Sequence, residues 1–205
     1  MPRSYEARAT GANKAYDRDM RRVRGILFVD YVRMLRSHKG VNWSQHLAPE
    51  DLPYLKDRID PDAWYPMETF ERMGNAILAT VAGGILTPVL MWGRLQASQL
   101  RLANPNLLAD RDPVESLNRF RVLRQTFFDF DALEVPLLHD DEAQIVIRYH
   151  MGMPAEEAAA VQTVGFFEGL LGLAGAREVR STFKEKSWKG DARTRVDFKW
   201  ISPDR

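Results

Sequence analysis

The chain has 205 residues, of which 45% are hydrophobic and 28% charged, the balance of a globular domain large enough to bury a core without a disulfide or metal staple. It has no cysteine, which excludes disulfides, iron–sulfur clusters, thiolate zinc sites and thiol nucleophiles together. A net charge of +1 supplies no global field to attract nucleic acid. The longest apolar run, residues 81–92, is also too short for a bilayer, which takes about 20 residues.

Residues 1–24 carry seven basic side chains (Arg3, Arg8, Lys14, Arg18, Arg21, Arg22, Arg24) against Glu6, Asp17 and Asp19. Without apolar periodicity or a signal-peptide-like segment, this stretch reads as a basic, flexible tail of a cytoplasmic protein. A single domain over 25–202 follows. Helical spacing predicts a first helix over 25–37 and a shorter one around 49–59, where Pro49 and the acids after it suit a helix start. Residues 60–66 read as a turn cluster. From Pro66, the residues Phe70, Met73, Gly74, Ile77, Leu78 and Val81 form one apolar stripe. Further helices are expected over 87–102 and 113–128, the latter with Asp112 as N-cap and Pro113 in first position.

The period then changes to two. Leu133, Val135 and Leu137 alternate with polar or turn residues, as do Ile145, Ile147, Tyr149 and Met151, so an antiparallel hairpin is expected, with Pro136 marking an edge strand. A long helix over 155–174 and two strands, 177–188 and 193–200, complete the chain. The expected fold is α+β: an N-terminal helical bundle, then β-β-α-β-β, with the long helix packed on a four-stranded antiparallel sheet.

Three stretches carry a family resemblance: "RGILFVDYVRMLRSHKG", "DAWYPMETFERMGNAI" and "FFEGLLGLAGAREVRSTFKEKSWKGDARTRVDFKW". Together they are similar to the superfamily of 4-vinyl reductase domains, haem nitric-oxide-binding domains and small TRAPP subunits, and resemble most closely a bacterial family of about 200-residue proteins within it. The resemblance implies a domain that binds apolar ligands or pairs with itself. Two departures matter. Lys186 and Thr194 stand where many 4-vinyl reductase domains place cysteines around the turn glycine, here Gly190. The haem-binding relatives need a proximal histidine and a Tyr-x-Ser-x-Arg motif; the four histidines (His38, His46, His139, His150) fall outside 66–128 and the motif is missing. No cofactor, metal site or catalytic residue is therefore expected.

Several side chains remain as candidates. The run 139–142 ("HDDE") has metal-ligand chemistry but reads better as a hairpin turn. Phe70, Met73, Ile77, Trp92, Phe127 and Phe167 would line an apolar pocket or simply fill the core. Glu168, on a mostly apolar helix, is either an acid facing that pocket or the solvent edge of the helix. Gly165, Gly169 and Gly172 permit close approach of another backbone, within the monomer or, with Arg124, across a subunit interface. The leading expectation is a non-enzymatic regulatory or scaffolding module, homodimeric, binding an apolar small molecule, an acyl chain or a protein partner. The alternative is a reductase or isomerase acting on a tetrapyrrole-like or other apolar molecule, with Glu168 or Tyr149 as its acid or base.

Overall fold

A computed structural model of the chain describes residues 21–203. The tail reading therefore falls, for residues 1–20, outside the described residues. Its last part is not tail: Arg22–Arg24 forms strand β1, paired antiparallel with β2 (Trp64–Pro66) so that Val23 opposes Tyr65. The Arg24 N–H also donates to the Phe127 carbonyl at 2.8 Å, and Val23 bridges Phe128. These basic residues are ordered by partners distant in sequence, which local periodicity does not register.

Helix α1 (Gly25–Ser37) buries Phe28, Val32 and Leu35. The segment expected to be helical near 49–59 is a 3-10 run, Pro49–Leu55. Pro53 within it has no N–H to sustain an α-helical ladder. The cluster at 60–66 ends as β2 rather than as a loop, and Pro66 is the N-cap of α2 (Met67–Thr80) instead of its first residue. Helix α2 buries Phe70, Met73, Ile77 and Leu78 of the expected stripe, with Ala76 beside them, while Gly74 and Val81 are only partly buried. Helix α3 runs over Leu86–Ala103 and α4 over Pro113–Leu123, where the Asp112 carboxylate accepts the Glu115 N–H as an N-cap. Helix α4 stops short of residue 128. Residues 124–126 tighten into a 3-10 turn, and 127–129 leave the helix to meet β1, where the Asp129 N–H donates to the Arg22 carbonyl.

Strands β3 (Leu133–Leu138) and β4 (Glu142–Ile147) form the first hairpin. Helix α5 (Ala155–Leu173) follows, then β5 (Arg177–Glu185) and β6 (Thr194–Ile201). The four pair antiparallel in the order β3-β4-β6-β5, so β3 is an edge strand and the register slips between Glu134 and Leu137, around Pro136. The α+β architecture and the four-stranded antiparallel sheet are as the alternation implies. Thr194, Val196, Phe198 and Trp200 are buried on one face of β6, where Phe167 of α5 packs 5.8 Å from Phe198. The strand expected to reach residue 188 ends at Glu185. Beyond it Gly190 takes a left-handed φ of 98° to close the last hairpin, a conformation that favours glycine.

The closest helix crossing is α3 on α5. A Cβ on Gly93 would meet the Gln162 carbonyl oxygen at 2.0 Å, one on Gly165 the Leu90 oxygen at 2.0 Å, and one on Gly169 the Arg94 oxygen at 2.7 Å. Gly165 and Gly169 thus serve packing within the chain rather than an interface between copies. Gly172 has open space around its Cβ position. Arg124 reaches back to the Arg121 carbonyl, 2.8 Å away.

Candidate functional site

Helices α1, α2, α3 and α5 enclose a cleft of about 340 Å³. Its walls include Met34, Phe70, Ile77, Leu78, Val89 and Trp92. Beyond its floor lies a smaller chamber of about 60 Å³, bounded by Phe120, Phe127, Phe128, Phe166 and Tyr149. Tyr31, Phe70, Gln96, Ala159 and Gln162 line both spaces and so form the partition between them. Organic ligands occupy pockets of about 300–1,000 Å³, a size the cleft reaches. The chamber holds water-sized molecules only, at ~30 Å³ each.

The partition is polar without being charged. The Tyr31 hydroxyl donates to Gln162 Oε1 at 2.8 Å, and Gln162 Nε2 donates to Gln96 Oε1 at 3.3 Å. Burial pushes the Tyr31 phenol well up, and the nearby Tyr149 phenol adds to the shift. Tyr149 shares a 2.7 Å hydrogen bond with Thr163 and is likewise pushed up by burial. Both phenols therefore stay protonated at neutral pH and are hydrogen-bonding groups rather than bases. The charged residues lie elsewhere on the lining. Asp30 and Arg33 approach to 3.3 Å, and Glu71 accepts the Gly152 N–H at 2.8 Å.

Of the residues expected in a pocket, Phe70, Ile77 and Trp92 line the cleft and Phe127 lines the chamber. Met73 and Phe167 are fully buried core residues that line neither space. Glu168 faces neither. Its side chain, 12% exposed, accepts from Arg94 at 2.7 and 2.9 Å and from the Ser181 hydroxyl at 2.7 Å. It is neither an acid in a pocket nor a free solvent edge, but a tie between α3, α5 and β5. Among the described residues no cluster of three metal-ligating side chains forms; in the 139–142 run, the His139 N–H closes the hairpin onto the Glu142 carbonyl at 2.8 Å.

The sequence reading missed the polar partition. Tyr31 follows Leu27 by four residues and Phe28 by three, Gln96 lies between Trp92 and Leu100, and Gln162 between Ala159 and Phe166. Each is a polar residue on an apolar helical stripe, which is the signal that would have found them.

A wider, open groove of about 860 Å³ includes Arg148, Arg193 and His150. Glu134 lies 2.9 Å from Arg148 and Glu185 2.9 Å from Arg193, so those two cations are already matched.

No protein-family model and no curated protein matches the chain. Solved structures do. A mutant Fe(II) unliganded H-NOX protein from K. algicida superposes with a TM-score of 0.64 at 13% identity, covering 87% of this chain and 96% of its own. A mutant H-NOX from T. tengcongensis gives 0.57 at 15% identity, with 89% and 100% covered. A Cs H-NOX mutant gives 0.57 at 17% identity, with 88% and 97% covered.

The haem that the H-NOX fold implies does not fit the residues present. Haem iron takes an axial histidine, thiolate, methionine with histidine, or tyrosinate. No histidine lines the cleft or the chamber, there is no cysteine, and the phenols of Tyr31 and Tyr149 are each engaged in a hydrogen bond, with Gln162 and Thr163. No tyrosine of the chain begins a Tyr-x-Ser-x-Arg run. Haemin titrated into the protein is therefore expected to keep the absorption band of free haemin; a shifted, axially ligated spectrum would contradict this. The chain has the fold of these H-NOX domains, with a phenylalanine-packed chamber that no histidine faces.

Proposed function

We propose that the protein is a non-enzymatic ligand-binding module, regulatory or scaffolding in role, which takes an apolar small molecule or an acyl chain into the helix-lined cleft. The observation that carries this reading is the cleft itself. It is of ligand size, mostly apolar, and floored by an uncharged hydrogen-bonding chain. That combination of apolar walls and a few convergent polar groups is typical of small-molecule sites. The adaptable side chains of Met34 and Met151 on its lining suit ligands of varied shape. The two groups named for the enzymatic alternative do not line the cleft: Glu168 is tied to Arg94 and Ser181, and Tyr149 borders only the small chamber.

Ala158 lines the cleft and is buried. Ala158→Phe should fill part of it and weaken binding of an apolar probe such as decanol at least tenfold, read by titration calorimetry. Unchanged affinity in a variant whose thermal unfolding remains cooperative would place binding elsewhere. Homodimerisation is part of the proposal. It is supported by the exposed Met91, Leu95 and Leu102 on α3, and solution mass tests it.

A further inference from the structure

We propose that the cleft selects uncharged ligands. A ligand hydroxyl or amide would accept from the free amide N–H groups of Gln96 and Gln162 and donate to the Tyr31 oxygen, and the carboxylate of a free fatty acid would be rejected. This rests on the ligand-binding reading above and names the ligand class for that site.

The charge distribution carries the inference. The lining holds two carboxylates, Asp30 and Glu71, against one cation, Arg33. Arg33 is the outward member of its pair: its side chain is 71% exposed where that of Asp30 is 27% exposed, and its Nη1 already lies 3.3 Å from Asp30 Oδ1. Among the described residues no second cation lines the cleft to receive an incoming anion. Burial of Asp30 outweighs its attraction to Arg33 and holds its carboxyl above the ordinary range, so the site already strains to keep one negative charge. A ligand carboxylate would add another beside it, desolvated and without a counterion.

The floor offers the opposite. Gln96 spends its oxygen on Gln162, which leaves the two N–H donors of its amide for a ligand carbonyl or hydroxyl. Gln99, on the same helix and the same lining, brings a second amide. The Tyr31 oxygen, whose own proton goes to Gln162, remains as an acceptor for a ligand O–H or N–H, which a carboxylate does not carry, and a site built on hydrogen bonds strongly rejects a ligand lacking the matching group. The apolar chain of the ligand would then run along Ile77, Leu78, Val89 and Trp92, where no charge stands.

The experiment compares three probes of one chain length, decanamide, decanol and decanoate, by titration calorimetry of the full chain at pH 7.5. The expected result is decanamide and decanol binding at least tenfold more tightly than decanoate. Tyr31→Phe and Gln162→Leu should each reduce that ratio by weakening the uncharged probes. The double variant Asp30→Asn/Glu71→Gln should reduce it by strengthening decanoate. Decanoate binding as tightly as decanamide to the parent protein overturns the selectivity while leaving the ligand-binding reading intact. Failure of all three probes to bind overturns both. If Gln162→Leu fails to fold, Tyr31→Phe, which removes a single hydroxyl, decides the role of the floor: an unchanged probe ratio in that variant counts against it.

Discussion

Gly165→Ala lowers the stability of the protein by about 3 kcal/mol or more, whereas Gly172→Ala on the same helix raises it by up to about 1 kcal/mol. The two substitutions add the same methyl group to the same helix, and the opposite signs come from what each methyl meets. At Gly165 it would sit 2.0 Å from the Leu90 carbonyl oxygen and 3.2 Å from the Arg94 nitrogen, both backbone atoms of α3 that cannot rotate aside. The helices must separate, and the dispersion contacts along the crossing are lost with them. At Gly172 nothing lies within 4 Å, so alanine brings only its better helix propensity and a less disordered unfolded chain. Urea unfolding with an unchanged m-value reads both effects as shifts in midpoint. A Gly165→Ala variant as stable as the parent would show that the crossing is not held by backbone approach. Because α3 and α5 are also two walls of the cleft, the crossing that excludes a methyl sets the width of the site.

The contrast also shows what is legible in a sequence. The spacing of Gly165, Gly169 and Gly172 announces close packing, but it carries no direction. Only the structure says that the first two face α3 and the third faces open space. The β-β-α-β-β half could be read because its signals are local: Thr194, Val196, Phe198 and Trp200 alternate, and Pro136 marks an edge. Strands β1 and β2 could not be read, because Arg22 and Arg24 adopt extended backbone only by pairing with Trp64–Pro66 and with residues 127–129. The same long-range pairing cuts α4 short of Phe127. Of the site, the apolar wall was partly visible in Phe70, Ile77 and Trp92. Composition does not distinguish these from Met73 and Phe167, which the core takes instead. Glu168 is visible in the sequence as a carboxylate on an apolar helix, but its partners Arg94 and Ser181 lie on elements that no local pattern connects to it.

Arg72→Met costs about 3–5 kcal/mol, the usual consequence of stranding a buried charge. The Asp51 side chain is 0% exposed, and Arg72 approaches it through both Nε, at 2.6 Å, and Nη2, at 2.7 Å, the two-pronged geometry that favours arginine over lysine. With the guanidinium gone, the carboxylate keeps, among the described residues, the Ala48 N–H at 3.3 Å. Asp51→Asn should cost less, about 1–2 kcal/mol, because the amide preserves the shape and Arg72 retains Glu50 at 3.4 Å and Glu68 at 3.8 Å. Asp51→Leu combined with Arg72→Met should cost less than the sum of the two single changes, since an apolar pair leaves no orphaned charge. A double-mutant cycle by chemical unfolding measures the coupling, and additive single effects would show that the pair holds nothing in common. The pair fastens the 3-10 segment Pro49–Leu55 to α2, the helix that presents Phe70, Gly74 and Ile77 to the cleft. The anchor of that wall is thus a charged contact on the far side of the helix from the ligand. Its loss should loosen the wall and weaken binding of decanol in Arg72→Met, even though Arg72 does not line the cleft.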